Sequence, residues 1–493
     1  MRGRIGRALA WGLIWAVLGS LALDLLAPDP WPIQGSRAVD LRASLVELDR
    51  GGPALLGYRP GTHQAYPIGT SDDQGIYVIA PVLSHWLGEH DPIALLRWLW
   101  IGAWALTLML SALVALLLFK SSWAALIAPP TLLVCILSFG FGDIYWVAAW
   151  VLVTCMPPLL LLARGTLARR WPALLLIALT AGVCSATRSQ SGLAVALSAA
   201  AVAVIACGRP PARVALVLAV ALAYLAPTLI ALPAIREHRD QRIGVNLSLH
   251  EPTSHPLWHS LYIGLGYTRN RFGIHYLDGY AAAAAQEADP GVRYLSPAYA
   301  NVLHRQVDAI VGHDPAFVAR VELEKALVEL AHAGRYLLLL ALLLPAALTA
   351  RGAASLRRGE LALFAPALLI GALPAIIAIP IRVYELGLLA TLGTLGLLAI
   401  GSAAARAQDA WIATRRPAEG RLGRARLALG AFLETAPRRA TALALIVAVV
   451  PIATAFVLAR HLEGEHRRWD LSERNPPKVV LVAAAQNPSA PRR

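Results

Sequence analysis

The chain has 493 residues, 57% of them hydrophobic and only 15% charged, with a mean hydropathy of +0.57. A soluble domain carries roughly 25% charged residues, so this balance excludes a water-soluble globular protein. The formal net charge of +14 sits mostly in short gaps between apolar runs, which assigns it to membrane topology and excludes nucleic acid as a partner.

In chain order, a basic N-terminus (Arg2, Arg4, Arg7) precedes an apolar run over 8–27. A signal peptide has this form, but no small-x-small cleavage site follows it and many further runs do. It is read as an uncleaved first span with a cytoplasmic N-terminus. Later runs predict spans near 94–119, 122–140, 144–163, 171–187, 191–207, 213–235, 336–350, 360–380, 386–404 and 440–459. In lipid the backbone must pair internally, so each is expected to be a helix. The gaps alternate. Lys120, Arg164, Arg209, Arg213, Arg351, Arg357, Arg358 and the basic 405–439 segment fall on the side of the N-terminus, as the positive-inside rule requires. Only three Lys occur (Lys120, Lys325, Lys478). Cys135, Cys155, Cys184 and Cys207 all lie within apolar runs and read as small buried residues.

The expectation is an all-α, multi-pass integral protein of the cell (plasma or inner) membrane. It has about eleven transmembrane helices and two large extracytoplasmic loops with short interfacial and amphipathic helices. Four regions follow: an N-terminal module over 1–235 of about seven spans, which includes outer loop 28–93; an outer loop domain over 236–335; a C-terminal module over 336–459 of about four spans; and a tail over 460–493. Lys478–Gln486 is apolar but too short to cross. In the large loop, Ser296 before Pro297 marks a helix start, with Tyr299, Val302, Leu303, Val307 and Ile310 on one face. Asp314 before Pro315 marks another, and that helix is expected to run into the next span.

The polar candidates gather in the outer segments. Asp72 and Asp73 precede a short helix with Ile76, Ile79, Ala80, Leu83 and Leu87 on its apolar side, which suits the interface plane. A carboxylate there can act as a general base or bind a divalent cation. The local sequence by itself favours the other reading, a helix N-cap, and one acid can cap while the other works. Asp143 lies in a short outer turn beside Tyr145, Trp146 and Trp150; function and an interfacial polar cap both fit. Arg188, among Ser189, Gln190 and Ser191, can form paired hydrogen bonds to a phosphate or snorkel to headgroups, and Arg382 poses the same choice. The large loop interleaves Trp258 and Tyr262 with His255, His259 and His275. Aromatic faces beside polar groups suit sugar rings, and a buried seam against the membrane core is the competing reading. Among these His no spacing matches a zinc motif, so no metal ligand is assigned. Phosphate-loop, dinucleotide and HExxH patterns are absent from the sequence.

The order of these features resembles the GT-C glycosyltransferases: a cytoplasmic N-terminus, a first span, a long outer loop with an acid pair before an interfacial helix, then many spans. The resemblance covers roughly the first 210 residues. Asp72–Gly88 looks like that family's first-loop acid and juxtamembrane helix, Asp143 like its second acid, and Arg188 like its outer-side Arg. Two departures stand out. The acid pair lies far from the first span, which keeps Asp40 as a rival base, and the large loop precedes the eighth span. The resemblance implies a polyprenyl-phosphate-linked sugar as donor and a glycan, lipid or protein as acceptor, with a divalent cation as the one optional cofactor. Asp72 or Asp73 would then be catalytic, and Asp143, Arg188, Trp258, His259, Tyr262 and Arg382 would bind substrate. A lipid-linked glycan ligase or polymerase, and a transporter or non-catalytic assembly protein, are the rival classes.

Overall fold

The computed structural model describes residues 2–59, 61–62, 64–69, 72–140, 143–165, 170–250, 255–349, 358–413 and 438–472. Most of the basic 405–439 segment, and Lys478–Gln486, lie outside the described residues. In chain order the helices are α1 (Arg2–Leu26), α2 (Gly35–Asp49), α3 (Ile76–Leu87), α4 (Pro92–Phe119), α5 (Ser122–Phe139), α6 (Trp146–Ala163), α7 (Trp171–Thr187), α8 (Leu193–Ala206) and α9 (Pro210–Ala226). A π turn at Pro227–Ala231 joins α9 to α10 (Leu232–Ile243). There follow α11 (Leu257–Gly264), α12 (Asp278–Ala288), α13 (Pro297–His313), α14 (Pro315–Thr349), α15 (Arg358–Leu361), α16 (Ala365–Ile377), α17 (Arg382–Ala413) and α18 (Arg438–Ser472).

The protein is a helical membrane protein, and among the described residues fewer helices than the expected eleven are long and apolar enough to cross. Among the described residues, eight helices are long and apolar enough to cross: Arg2–Leu26, Pro92–Phe119, Ser122–Phe139, Trp146–Ala163, Pro210–Ile243, Pro315–Pro345, Gly359–Ile377 and Arg382–Ile412. The runs expected at 171–187 and 191–207 fold into helices of 17 and 14 residues. At 1.5 Å per residue, α8 rises about 21 Å, against a hydrocarbon core of about 30 Å. Burial separates the helices: 78% of the apolar window of α17 is buried, against 6% for Pro210–Ile243. So α17 is central, while Leu218, Leu222, Leu229 and Ile230 present an apolar outer face that suits lipid.

Local signals set several boundaries. Asp91 caps α4, its Oδ1 accepting from the Ile93 amide at 3.2 Å, with Pro92 at the first helical position. Ser121 caps α5 through the Ala124 amide at 3.2 Å. Ser296 caps α13, and the face formed by Tyr299, Val302, Leu303, Val307 and Ile310 is buried as its spacing predicts. Asp314 Oδ1 accepts from the Phe317 amide, and α14 does run on from the loop as a single 35-residue helix.

Two local details belong to this all-α fold. A short antiparallel hairpin pairs β1 (Leu56–Tyr58) with β2 (Ala65–Pro67); three-residue strands leave no alternation to read. Helix α3 forms as expected: Ile76, Tyr77, Ala80, Pro81 and Ser84 are buried, while Leu87 is 70% exposed. Ser44 ties α2 to α3 by donating its hydroxyl to the Tyr77 carbonyl at 3.1 Å.

The two outer loops are held differently. Trp31, Leu41, Leu55, Ile68, Ile76, Tyr77 and Ala80 of the first loop join the core of the membrane bundle. The large loop has its own core, built from α11–α13 and the first half of α14, and it reaches Ile379 and Ala459. Gly264 of α11 seats it on the bundle, since a Cβ there would lie 2.3 Å from the Ile377 carbonyl oxygen of α16. The segment expected as a tail after Arg460 continues helix α18 to Ser472 and docks on this loop core. His466 Nδ1 lies 2.7 Å from the Tyr267 carbonyl, and Trp469 stacks on His275 at 4.1 Å. His332 ties three helices together, with Nδ1 2.7 Å from Glu385 of α17 and Nε2 2.9 Å from Glu463 of α18.

Candidate functional site

Three short connections meet at one end of the bundle. The turn before α3 docks on the turn between α7 and α8: the Gly75 amide donates to the Ala186 carbonyl at 2.8 Å, and the Ser189 amide donates to the Asp72 carbonyl at 2.7 Å. Only glycine fits at position 75, because a Cβ would lie 2.7 Å from the Ala186 carbonyl. The turn before α6 docks on the chain leading to α2. The Asp143 amide donates to the Pro32 carbonyl at 2.6 Å, and Trp31 Nε1 donates to the Asp143 carbonyl at 3.1 Å. Asp143 and Gln190 both adopt left-handed backbone, at φ 42° and φ 67°. Such conformations cost of order 1–3 kcal/mol for a non-glycine residue and concentrate at functional sites.

Arg37 of α2 is the centre of the arrangement. Its Nε donates to Asp73 Oδ2 at 2.6 Å, and its Nη1 donates to Asp143 Oδ2. Burial opposes its charge, but Asp73 and Asp143 together outweigh burial and raise its pKa further. Asp143 is held above the usual carboxylate range by burial, against the pull of Arg37. Its Oδ1 is buried with no hydrogen-bond partner among the described residues. Tyr145 carries both cations on its ring: Arg37 at 5.7 Å from the centroid and Arg188 at 4.6 Å. Tyr145 in turn packs edge-on against Tyr384, whose hydroxyl is 3.2 Å from that of Tyr276.

The two acids expected to be catalytic have separate partners. The N-cap residue of α3 is Gly75, which has no side-chain cap bond. Asp73 pairs with Arg37. Asp72 Oδ2 accepts from the His255 backbone amide at 3.2 Å and lies 2.6 Å from His255 Nδ1. Burial pushes the Asp72 carboxyl up, but His255 and the charge of Arg188 bring it below its ordinary value. His255 is raised by the same contact, against its burial. Asp40, one helical turn from Arg37, behaves differently. Burial and the neighbouring Asp73 push it up to about 6, against a hydrogen bond from the Gly69 backbone.

Next to Asp72 lies a group from the large loop. His259 is 1% exposed, with Nδ1 2.6 Å from the Tyr299 hydroxyl and Nε2 3.1 Å from Asp278 Oδ1. The His255 and His259 rings are 4.8 Å apart. His255 Nε2 lies 3.4 Å from the Tyr294 hydroxyl. Ligand atoms of His255, His259 and Asp278 all fall within 4.8 Å of one another, which makes these three residues the candidate metal-ligating group.

The expected site residues therefore divide. Asp72, Asp73, Asp143, Arg188 and His259 come together. Trp258 is instead stacked on His304 at 3.8 Å, and Tyr262 is packed into the loop core. Arg382 donates to the Phe139 carbonyl at 3.3 Å. His275 is buried under Trp469. Sequence reasoning missed Arg37, Asp278, Tyr294 and Tyr299. Arg37 had one visible signal, a positive charge in a segment placed on the outer side, three residues before Asp40.

No protein-family model and no curated protein matches the chain. Among solved structures, ArnT from Cupriavidus metallidurans in the apo state is similar over 83% of this chain and 80% of that chain, with 16% identity and a TM-score of 0.33. A likeness at that level carries no argument about chemistry, and the assignment below stands on the site itself.

Proposed function

We propose that the protein is a GT-C-type membrane glycosyltransferase. It moves a sugar from a polyprenyl-phosphate donor to an acceptor hydroxyl at the outer face, with inversion. The observation that carries this reading is the convergence of Asp72, Asp73, Asp143 and Arg188 on one end of the bundle, held by Arg37 from a fourth segment. Asp40, one helical turn from Arg37 and coupled to Asp73, can take a proton in the same group where cations can receive a phosphate and a lipid-borne donor would arrive laterally.

In this mechanism a carboxylate takes the proton of the acceptor hydroxyl, and the oxygen attacks the anomeric carbon. The bond from that carbon to the phosphate oxygen breaks on the opposite face, and the phosphate leaves with the electron pair. A phosphate is weakly basic, so it needs charge stabilisation more than a proton, and Arg188 supplies it. Of the three acids considered, Asp40 best fits the role of base. A general base works best with a pKa near the working pH, and Asp40 is pushed up to about 6. Asp73 and Asp143 hold Arg37 in place, and Asp72 orients His255.

The test is the glycan and glycolipid profile of cells carrying Asp40→Asn, Asp72→Asn or Asp73→Asn. Loss of one sugar-bearing species in the Asp40 variant is expected. A wild-type profile in all three variants would sink the reading, and loss of solute flux with unchanged glycans would replace it with transport.

A further inference from the structure

The His255–His259–Asp278 group has the chemistry of a metal site that the chain spacing concealed. His255 stands just before α11, His259 lies in its first turn and Asp278 is the first residue of α12. Two helix starts therefore bring together residues up to 23 positions apart. Both imidazoles are oriented by their Nδ1 atoms: His255 by Asp72 at 2.6 Å and His259 by Tyr299 at 2.6 Å. A carboxylate that accepts from Nδ1–H leaves the Nε2 lone pair free for a metal, which is how outer partners fix metal-binding imidazoles. Tyr299 can do the same for His259, because a phenol oxygen accepts as well as donates. Asp278 supplies a carboxylate whose side chain is 60% exposed, so an ion has a path from water.

We propose that His255 Nε2, His259 Nε2 and Asp278 bind a zinc ion, with Asp72 and Tyr299 as the groups that orient the two imidazoles. Two imidazoles and one carboxylate with an open fourth position form the ligand set of a zinc that polarises a water or a substrate oxygen. Tetrahedral bonds of about 2.1 Å place ligand atoms about 3.4 Å apart. The ligand atoms of the three residues lie within 4.8 Å of one another, so the widest pair would close by up to about 1.4 Å around the ion, while His259 Nε2 and Asp278 Oδ1 already stand at 3.1 Å. The ion would also clamp the large loop onto Asp72 of the first loop. Nothing in this inference depends on sugar transfer.

The experiment uses the full chain purified in detergent, stripped with chelator, equilibrated with zinc sulfate and desalted. Metal content is read by mass spectrometry and thermal stability by unfolding in the same detergent. About one zinc per chain is expected, with a rise in Tm on zinc addition. His259→Ala and Asp278→Ala should each lose the bound zinc and the Tm response. Asp72→Asn should weaken zinc affinity roughly 10- to 100-fold. His275→Ala, which removes an imidazole packed under Trp469, should keep full zinc content. Exposed Asp278 can be removed without opening the core, so its variant reads ligation even if His259→Ala fails to fold. Wild-type protein that retains no zinc would overturn the proposal, as would full retention in Asp278→Ala.

Discussion

Two regions of this molecule offer a ligand something, and they differ in kind. The membrane bundle encloses a cavity of about 130 Å³ between α4, α5, α6 and α17, lined by Leu110, Val114, Leu132, Val153, Pro157 and Leu397 among others. It contains no ionisable side chain. The end of the bundle where Arg37, Asp73, Asp143, Arg188, Asp72 and His255 meet is packed with ionisable groups, two left-handed turns and a buried carboxylate oxygen without a partner among the described residues. An apolar cavity in a membrane can hold a hydrocarbon chain but cannot move a proton or receive a phosphate. Strain and unsatisfied polarity persist only where the surrounding structure over-determines them, so they mark chemistry better than volume does.

The most severe way to break the comparison is Arg37→Ala. It leaves Asp73 and Asp143 facing each other in a buried site without their shared cation. Removing one partner of a buried ion pair costs about 3–5 kcal/mol, so a large fall in Tm in detergent and loss of glycan product are both expected. Normal stability and product would show that the acids do not depend on Arg37.

Asp40→Asn should separate activity from stability. An acid whose folded pKa is raised to about 6 favours folding below its unfolded value near 4 and loses that contribution as pH rises through 6. At pH 7 wild type therefore carries a penalty of roughly 3 kcal/mol, which the neutral Asn removes. Activity should fall by about 10²–10⁴ while Tm at pH 7 rises. The wild-type rate should drop as pH falls below about 6, because the base must be ionised. A rate that is flat from pH 5 to 8, or an active Asn variant, would remove Asp40 from the base role.

Gly75→Ala tests the docking of the two turns. Its Cβ would strike the Ala186 carbonyl, and overpacking of this kind costs about 1–3 kcal/mol. The expected result is a lower Tm and reduced product, because Asp72 and Arg188 are pushed apart. The smallest effect belongs to the cavity. Ala115→Leu adds apolar volume against its wall and should change Tm by less than the Gly75 variant and leave product formation unchanged. If product falls sharply there, the cavity holds part of the donor lipid and the contrast between the two regions fails.

How much of this was legible beforehand follows the range of the interactions. The two loop helices beginning at Ser296–Pro297 and Asp314–Pro315 were readable because caps and a 3.6-residue apolar spacing are local. The bond between α2 and α3 was not, because Ser44 meets the Tyr77 carbonyl from 33 residues away. The partners of the acid pair were not legible either, because Arg37 and His255 stand 36 and 183 residues away.

The sequence by itself determined that this chain enters a membrane as helices, because hydrocarbon admits only uncharged apolar runs with internally paired backbones. It also determined that the polar candidates lie in the connections. Only the tertiary structure decided which of them meet. It placed Arg37 between Asp73 and Asp143, set Arg188 on Tyr145, bound His255 to Asp72, and drew Trp258 and Tyr262 away into packing. The reason is physical. Hydropathy is summed over neighbours along the chain, whereas an ion pair depends on distance in space, which chain folding alone fixes.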